Sequence, residues 1–535
     1  MKRSLDVEST EAKRVRIEPV EEARIDPVIV EDESPRLECD DQVLAKAFYE
    51  VRGRKDLRIT NDQPIMWSAT TLLWEEVTEN DVRNVLLTTI KDLAKAHLEE
   101  HQGLYQEFVT EHGDDQRKMD AAVKGRFKDV SANYKRLMRV LEYFRFYKNT
   151  KGAWNVLRYL CKADDFLPNK SAHELPLAHG LVLDLKKGET RPRVQTDLWT
   201  FECPVSYLDN EPIDKAEEFF TDVCVGVDKR TSLAYVEFLQ KVLGYCMTGE
   251  TSERFLFVIF GDGTNGKTVL LRVLEAILGP LFTPLDRKVL LETRSSSSHS
   301  AELIPLKFAR IGSLSETEDD GKLNETQVKR LSGAEGSLSA RDCGEKQIKF
   351  ETAAKLILAT NHLPQVSGDK AIMGRMLLLP FLQEFAETPE NTEKTALLQT
   401  EYLSQMFTFI ARGAKEWYAK GTLGDPPGVC QFEKLQYTRE IDSMGLFLEQ
   451  HVLDEKDYEK THGQKMKPKD RPRKNELYAY YIEFCSTEHL TPVLGSKKFY
   501  QRLNKRFKSK YTSGVQRVCC SFSRSPIDRA ALAES

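Results

Sequence analysis

Apolar and polar residues recur with two different spacings along this chain, and the spacing changes between regions. From residue 45 to about residue 210, apolar residues return every three or four positions, as in "VRNVLLTTIKDLAKAHL", which is the pattern of amphipathic helices. The same pattern marks three later segments: 215–249, 397–421 and 432–451. Short apolar runs between polar residues predict strands in five segments: 181–185, 256–260, 308–314, 356–359 and 376–381. Helices that alternate with short apolar strands predict an α/β fold with a parallel sheet at its core.

Both ends of the chain depart from this pattern. Residues 1–41 are rich in Glu, Asp and Arg and contain no aromatic residue, so we predict a disordered, charged tail with too little apolar surface to fold. Towards the other end, the polar stretch "EKTHGQKMKPKDRPRKN" predicts a basic linker at 461–475. The last segment, 476–535, holds two helical patterns, "ELYAYYIEFC" and "SKKFYQRLNKRF", and a terminal "VQRVCCSFS" that alternates like a strand.

Composition narrows the class of protein. A chain of 535 residues, 40% of them hydrophobic and 30% charged, can form several ordinary cores, so about two to four domains are expected. No apolar run approaches the roughly 20 residues that span a bilayer, and no membrane partner is expected. The 10 cysteines include no C-x-x-C pair, which argues against a disulfide framework or a zinc site. The net charge of −5 argues against a generally basic surface, so any contact with nucleic acid must be local.

The segment "GDGTNGKT" follows the predicted strand 256–260 and precedes the amphipathic pattern "TVLLRVLEAIL". It matches G-x-x-x-x-G-K-[ST], and this strand-to-helix context favours a phosphate-binding loop over a chance glycine turn. Backbone N–H groups of such a loop converge on phosphates at a helix N-terminus, its lysine reaches the β and γ phosphates, and its hydroxyl ligates Mg²⁺. We therefore predict that eight residues bind ATP with Mg²⁺: Gly261, Asp262, Gly263, Thr264, Asn265, Gly266, Lys267 and Thr268.

Three polar residues beside later strands complete a candidate catalytic set. Glu316 follows the strand 308–314, where a nucleotide hydrolase needs a carboxylate for Mg²⁺ and for the attacking water, and Glu318 is the alternative. Asn361 follows the strand 356–359, at the edge of a parallel sheet that faces ligands, and can hold the attacking water. Arg375 stands just before the strand 376–381, and an arginine supplied across a subunit boundary can stabilise the transition state of phosphoryl transfer.

The stretch "SLSARDCGEKQIKFE" has the pattern of a β-hairpin with a turn at Gly344. Its polar side carries Arg341, Lys346 and Lys349. Taken alone, these cations are typical of a solvated surface. They become candidate DNA-binding residues only in the context of the neighbouring motifs.

Residues 255–381 resemble the superfamily 3 helicases, and specifically the poxvirus and phage helicase-primase type. The resemblance is carried by "GDGTNGKT", "SETEDD", "VKRLSGAEGSLSAR", "LILATNHLP" and "DKAIMGRMLLLPF", in that order. Upstream, "LLWEEVTENDVRNVL" and "HGLVLDLKKGETRP" resemble the domain before the motor in that family. Downstream, "ELYAYYIEFC" and "KKFYQRLNKRF" resemble its C-terminal winged-helix module.

This resemblance implies an AAA+-type motor that forms a ring, as a homohexamer, hydrolyses ATP between subunits and moves along single-stranded or forked DNA. Lys267 and Thr268 would bind ATP and Mg²⁺, Glu316 would be the acid, Asn361 the polar sensor and Arg375 the finger reaching the neighbouring subunit. The basic hairpin would grip phosphates in the pore. The segments expected after the tail follow: a mostly helical domain at 42–212, the motor at 213–460 with its core at 251–385, the linker 461–475 and the winged helix at 476–535.

Three departures from the family pattern qualify these expectations. Gly374 stands where relatives often have a second arginine, so Arg375 would act alone, and Ser315 stands where other branches have an acid. The tail has no paired carboxylates on strands, so we expect a helicase without primer synthesis and a separate primase or polymerase as partner. The alternatives in function are a DNA-binding initiator that uses ATP and a P-loop phosphotransferase without unwinding activity.

Charge in the last segment and in the tail bears on partners and location. From residue 465 to 517, Lys and Arg far outnumber acids and tyrosines are interleaved, which favours DNA binding over a lid with a solvated basic face. In the tail, basic clusters at residues 2–3 and 13–16 are spaced like a bipartite nuclear-import signal, with a solvated tail as the alternative. We expect an intracellular protein, in the host nucleus if the clusters are read as a signal and in the cytoplasm otherwise.

Overall fold

The protein is described by a computed structural model. It describes the following residues: 40–60, 62–112, 139, 142, 150–163, 166–226, 228, 230–292, 300–316, 321–333, 338–340, 347–367, 370–465, 472, 474–488, 490, 493–507 and 518–520. The chain divides into two compact units, 1–67 with 75–166 and 68–74 with 167–535. The disordered tail predicted at 1–41 lies almost wholly outside the described residues, as do both of its basic clusters.

The first unit is built from helices beside a small three-stranded sheet. Its helices are α1 (Asp41–Phe48), α2 (Glu79–His112) and α3 (Thr150–Leu160), with a π-helical turn at Tyr49–Gly53 and a helical turn at Arg54–Asp56 after α1. The strands β1 (Leu57–Thr60), β2 (Gln63–Ser68) and β3 (Leu73–Glu76) form the sheet in that order. Helix α1 begins after Asp40, whose carboxylate accepts a hydrogen bond from the Gln42 N–H at 2.7 Å. Phe48, Leu86 and Leu157 are buried in the common core of the helices and the sheet.

A second small sheet opens the larger unit. Strands β4 (Glu174–Leu177), β5 (Leu181–Asp184) and β6 (Glu189–Pro192) form an antiparallel meander. The prediction for residues 42–212 foresaw one strand here and otherwise helices, so it missed five strands. The missed strands have four to six residues, too few for their alternation to stand out, and β6 is formed by the polar sequence "ETRP".

The centre of the larger unit is a five-stranded parallel sheet of order β13-β7-β12-β9-β8, which confirms the predicted α/β fold. Its strands are β7 (Leu256–Phe260), β8 (Phe282–Pro284), β9 (Ile311–Glu316), β12 (Lys355–Thr360) and β13 (Met376–Pro380). Strands β7, β12 and β13 are apolar on both faces, as expected when helices cover both sides of a parallel sheet. Alternate residues enter two separate cores: Phe257 and Ile259 face one, and Leu256 and Val258 face the other.

Helices and a hairpin surround this sheet. The helices are α4 (Asp214–Val223), α5 (Leu233–Met247), α6 (Lys267–Leu278), α7 (Arg287–Leu290), α8 (Glu325–Ser332), α9 (Lys370–Arg375), α10 (Pro389–Leu398), α11 (Leu403–Lys420) and α12 (Gly428–Ile441). The hairpin pairs β10 (Leu338–Ala340) with β11 (Ile348–Phe350), in the antiparallel register that the sequence pattern predicts. Its turn, with Arg341 and Lys346, lies outside the described residues, whereas Lys349 is exposed on β11.

A separate apolar core holds the last segment together. It is formed by helices α13 (Ser443–His451), α15 (Lys474–Thr487) and α16 (Ser496–Phe507). Helix α14 (Glu455–His462) lies between α13 and α15 in the sequence, and β14 (Val452–Asp454) pairs antiparallel with β15 (Val518–Cys520). Phe447, Tyr481 and Phe499 are buried at its centre. The predicted boundaries at 212, 460 and 475 and the winged-helix assignment stay predictions. Across the part of the chain that the structure describes, no helix is both long enough and apolar enough to cross a membrane.

Candidate functional site

The loop between β7 and α6 has the backbone conformation that its glycines allow. Gly263 and Gly266 have φ angles of 117° and 85°, in the left-handed region where a side chain would be strained. At Gly261 a Cβ atom would lie 2.2 Å from the Phe381 carbonyl oxygen, so no larger residue fits. Helix α6 then begins at Lys267, directly after the loop. The sequence therefore places the amino end of a helix immediately beside the carboxyl edge of the sheet.

The chain that leaves β13, residues 381–388, holds this loop from outside. The Phe385 N–H donates to the Thr264 carbonyl at 3.0 Å, and the Phe381 N–H donates to the Phe260 carbonyl at 2.8 Å. The Asn265 side chain joins both parts, because its Nδ2 donates to the Gln383 carbonyl at 2.9 Å and its Oδ1 accepts from the Gly263 N–H at 2.6 Å. The loop is therefore fixed before any ligand binds, which lowers the entropy cost of binding.

Lys267 is the buried cation of the loop. Its side chain donates from Nζ to the Gly261 carbonyl at 2.7 Å and to Asn265 Oδ1 at 3.2 Å. Burial lowers the pKa of Lys267, and the nearby Asp262 carboxylate opposes that shift. Thr268, the next residue, is exposed. A lysine held by loop oxygens at the rim of a cavity can exchange them for phosphate oxygens without leaving its place.

A cavity of about 440 Å³ opens above the loop. It lies within the range of roughly 300–1,000 Å³ that is usual for small-molecule sites. Its lining combines the loop, the ends of β9 and β12, and two helices that face each other, α4 and α10. The residues beyond the loop are Phe219, Asp222, Val269, Ser315, Ala359, Asn361, Phe385, Ala386, Glu387, Asn391, Thr392, Lys394, Thr395 and Leu398. The volume and lining suit a nucleotide with its phosphates at the loop.

The structure brings some of the predicted catalytic residues together at this cavity. Asn361 follows β12 and lines the cavity beside the loop. Glu316 is the last residue of β9, paired in register with Thr360 on β12. The preceding residue, Ser315, lines the cavity. Glu318, the alternative acid, lies outside the described residues.

Arg375 is placed at the opposite edge of the same sheet. It ends α9 and directly precedes β13, which runs parallel to β7 with Met376 opposite Leu256. A five-residue strand spans about 16 Å. The backbone of Arg375 therefore lies about 16 Å from the edge of the sheet that carries the loop. Its Nη1 donates to Ser332 Oγ at 3.3 Å. Arg375 is not among the residues that line the cavity.

Several cavity residues were missed by sequence reasoning. Lys394 on α10 makes ion pairs with Glu218 at 2.7 Å and Asp222 at 3.3 Å, both on α4. Phe219 and Phe385 flank the loop, each with a ring atom 3.7 Å from the position of a Cβ atom on Gly266. These residues are far apart in sequence, and neither helix carries a motif. Only their meeting in the fold identifies them.

Comparison with known proteins finds viral relatives over part of the chain. A protein of Acanthamoeba polyphaga mimivirus, L207/L206, which is named as a helicase, is 31% identical over 216 residues, covering 40% of this chain and 22% of that protein. The protein C962R of African swine fever virus (strain Badajoz 1971 Vero-adapted), named as a primase, is 28% identical over 112 residues, covering 21% of this chain and 12% of that protein. The chain thus matches about a fifth or less of the length of these relatives. No protein-family model matches.

Among solved structures, the apo structure of the NrS-1 C-terminal region (305–718) aligns with 60% of this chain and 79% of that chain. The TM-score is 0.36 and the sequence identity is 11%. A TM-score of this size carries no argument about fold or function. The chain is therefore similar in sequence to viral proteins named as a helicase and as a primase. The assignment of its α/β fold depends on the parallel sheet described above.

Proposed function

We propose that this chain is an ATP-hydrolysing motor of the AAA+ and superfamily 3 type, and that it acts as a ring-forming DNA helicase in the replication of a virus or mobile element. One observation carries the proposal: the phosphate-binding loop, Ser315 beside Glu316, and Asn361 meet at one cavity on the carboxyl edge of a parallel sheet. The sequence similarity to viral proteins named as a helicase and as a primase supports the same class of activity.

Each residue at the cavity has a role in this proposal. ATP with Mg²⁺ supplies the phosphoryl bond that is cleaved. Backbone N–H groups of residues 263–268 cradle the phosphates, and Lys267 neutralises charge on the β and γ phosphates. The Thr268 hydroxyl and the Glu316 carboxylate would hold Mg²⁺, which would neutralise charge on the phosphates, and Glu316 would also orient the attacking water as a base. Asn361 holds the attacking water at the end of β12.

The position of Arg375 supports a role across a subunit boundary. Arg375 lies at the amino edge of its own sheet and does not line its own cavity, so a role in phosphoryl transfer requires the cavity of a neighbouring copy. Arg375 would then stabilise charge on the transferring phosphoryl group. The finger proposal therefore requires an oligomer, for which we propose a homohexamer.

Two elements are proposed to contact DNA. The hairpin β10–β11 exposes Lys349 and carries Arg341 and Lys346 in its turn, and phosphate contacts of this kind are independent of base sequence. In the last segment, α16 buries Phe499 and Leu503 and exposes Lys497 and Lys498, as expected for a helix of a winged-helix module laid against a DNA backbone.

The test is ATP hydrolysis and fork unwinding by the full chain, with and without single-stranded DNA. We expect hydrolysis that DNA stimulates, and a loss of at least about a hundredfold in Lys267→Ala or Asn361→Ala, since both remove stabilisation at the reacting phosphate. Hydrolysis without unwinding would favour the initiator, and transfer of labelled phosphate from ATP to a nucleoside would favour the phosphotransferase. Turnover that is unchanged in Lys267→Ala would overturn the proposal.

Mixing subunits tests the role of Arg375. Arg375→Ala subunits are mixed with Lys267→Ala subunits, and ATP hydrolysis by the mixture is compared with that of each variant alone. A finger that acts in trans predicts recovered activity, because a Lys267→Ala subunit still offers its Arg375 to the intact loop of an Arg375→Ala neighbour. A mixture no more active than its components would contradict a role across the subunit boundary.

A further inference from the structure

A group of four cations lies around the turn between β5 and β6. Lys186 and Lys187 form this turn, and Arg412 and Lys415 face it from α11; we call these four residues the turn cluster. A Cβ atom on Gly188 would lie 3.6 Å from Lys415 Nζ and 3.4 Å from the Tyr207 hydroxyl oxygen. The turn and the helix are therefore in direct contact.

Two tyrosines connect the members of the turn cluster. Lys186 Nζ lies 5.0 Å from the centre of the Tyr418 ring, a cation–π distance. Burial raises the pKa of Tyr207, and the charge and hydrogen bond of Arg412 oppose that shift. Arg412 and Lys186 thus each have an aromatic neighbour.

Four carboxylates lie near the turn cluster. Asp209 acts on Tyr207, and Glu250 accepts from the Tyr418 hydroxyl at 3.4 Å. Asp184 Oδ1 accepts from the backbone N–H groups of Lys186 at 2.8 Å and Lys187 at 3.2 Å, which shapes the turn. Glu416 pairs with Lys420 at 3.7 Å. Within the described ranges, no carboxylate oxygen comes within the ion-pair limit of 4.0 Å from any side-chain nitrogen of the turn cluster. Four neighbouring positive charges without such a partner repel each other, and an anion relieves that repulsion.

The turn cluster is also held in place. The Gly188 N–H donates to the Asp184 carbonyl at 2.7 Å, which closes the turn. The Tyr418 hydroxyl donates to the Ala172 carbonyl at 3.1 Å, and buried Arg310 donates to the same oxygen from the amino end of β9. This rigid scaffold lies towards the amino edge of the central sheet, away from the nucleotide cavity.

We propose that the turn cluster binds the phosphate backbone of single-stranded DNA, at a surface separate from the hairpin β10–β11 and from helix α16. The inference rests on the proposed helicase function. A chain with a net charge of −5 needs local cationic surfaces to hold DNA, and the turn cluster supplies one with fixed geometry. No side chain of the turn cluster has the environment of a base reader, so the contact is independent of base sequence.

The test compares equal charge reversals in the full chain. Binding of a fluorescein-labelled thymidine oligonucleotide is measured by anisotropy over a series of salt concentrations for Lys187→Glu, Lys415→Glu and their double variant. Lys420→Glu is the matched control, since Lys420 lies on the same helix but already has Glu416 as its partner. ATP hydrolysis without DNA reports folding, since none of these residues lies at the cavity.

We expect each reversal in the turn cluster to weaken DNA binding by roughly tenfold at low salt, with unchanged hydrolysis in the absence of DNA. Each lost phosphate contact should make the slope of log K against log salt shallower by about 0.7, so the double variant should lose about 1.4. Lys420→Glu should keep the wild-type slope. Wild-type affinity and slope in both reversals would overturn this inference alone. A wild-type chain that binds no single-stranded DNA would overturn the helicase proposal as well.

Discussion

The two edges of the central sheet both hold buried cations, but they use them differently. At the carboxyl edge, Lys267 is bound by two oxygens of its own loop and borders an open cavity. At the amino edge, Arg310 donates to the carbonyls of Met247, Ala172 and Glu174 at 2.9, 3.1 and 3.1 Å, and also to that of Ser171. The first cation can exchange its partners for a ligand, whereas the second has its donors occupied by the chain.

Lys355 repeats the arrangement of Arg310 on the neighbouring strand. Its Nζ donates to the Ala353 carbonyl at 2.8 Å and to the Thr248 carbonyl, and it lies 5.5 Å from the centre of the Tyr245 ring. Burial and the nearby Arg310 charge lower the pKa of Lys355 well below its usual value. Burial alone therefore does not mark a functional cation. What distinguishes Lys267 is that it lines a cavity together with its partner Asn265, whereas the partners of Lys355 and Arg310 are backbone carbonyls inside the fold.

Among the variants that compare the two edges, Arg310→Leu is expected to change the stability of the protein most. This change removes the Arg310 donor from the carbonyls of residues 171, 174 and 247, whereas the Ala172 carbonyl keeps the Tyr418 hydroxyl and the Gly249 N–H as donors. We therefore expect a loss of about 3 kcal/mol in the free energy of unfolding. Urea denaturation followed by tryptophan fluorescence measures it.

Lys267→Met is the matched control at the other edge. It removes a cation whose partners face a cavity that water can enter, so its unfolding midpoint should stay near the wild-type value while ATP hydrolysis is lost. The contrast would fail if Arg310→Leu unfolded at the wild-type midpoint, or if Lys267→Met lost as much stability as Arg310→Leu.

A smaller effect, with a distinctive dependence on pH, is expected for Lys355→Met. Because the folded-state pKa of Lys355 lies below its unfolded value of 10.5, the unfolded chain binds more protons between these two pH values. The contribution of Lys355 to stability therefore rises with pH across that window and is least favourable below it.

The measurement is the difference in unfolding free energy between the wild type and Lys355→Met, at about pH 8 and about pH 10. The wild type should gain stability relative to the variant over this interval, by up to about 2.5 kcal/mol, since each pH unit contributes at most about 1.4 kcal/mol. Taking the difference removes the titration of cysteines and tyrosines, which both proteins share. A difference that is flat, or that falls with pH, would mean that folding does not lower the pKa of Lys355.

The sequence predicts one edge of the sheet much better than the other, for a physical reason. The phosphate-binding motif with Gly261, Gly266 and Lys267 occupies one continuous turn between a strand and a helix, so the sequence pattern that predicts it is local. The partners of Arg310 come from segments that are distant in sequence, the turn before β4 and the end of α5. No local pattern indicates such a contact, and an isolated Arg before a strand resembles a surface residue.

The same reasoning explains the mixed outcome within the candidate site. Asn361 could be predicted because a strand delivers it directly to the ligand edge. Phe219 and Lys394 could not, because they reach the cavity only when α4 and α10 pack beside the loop. The amphipathic pattern of residues 215–249 does predict helices there, but not which side chains face the cavity. The fold class could thus be predicted from the sequence, whereas the wall of the cavity formed by α4 and α10 could not.

The smallest effect is expected for a change in the cavity wall formed by α4 and α10. The ion pairs of Lys394 with Glu218 and Asp222 join α4 to α10 across the cavity, and all three side chains are partly exposed. Exposed pairs contribute only about 0.2–1 kcal/mol each, so Lys394→Met should speed the release of a fluorescent ATP analogue by about three- to fivefold, measured by stopped flow. Glu218→Gln added to Lys394→Met should change the rate no further, because the pair between the helices is already broken and the remaining Glu218–Lys215 pair lies within α4. Lys420→Met, which breaks a surface pair within α11, should release the analogue at the wild-type rate. If Lys394→Met also matched the wild type, the wall would be held by packing of Phe219 and Leu398 alone, and the carboxyl edge would owe its ligand binding wholly to the loop.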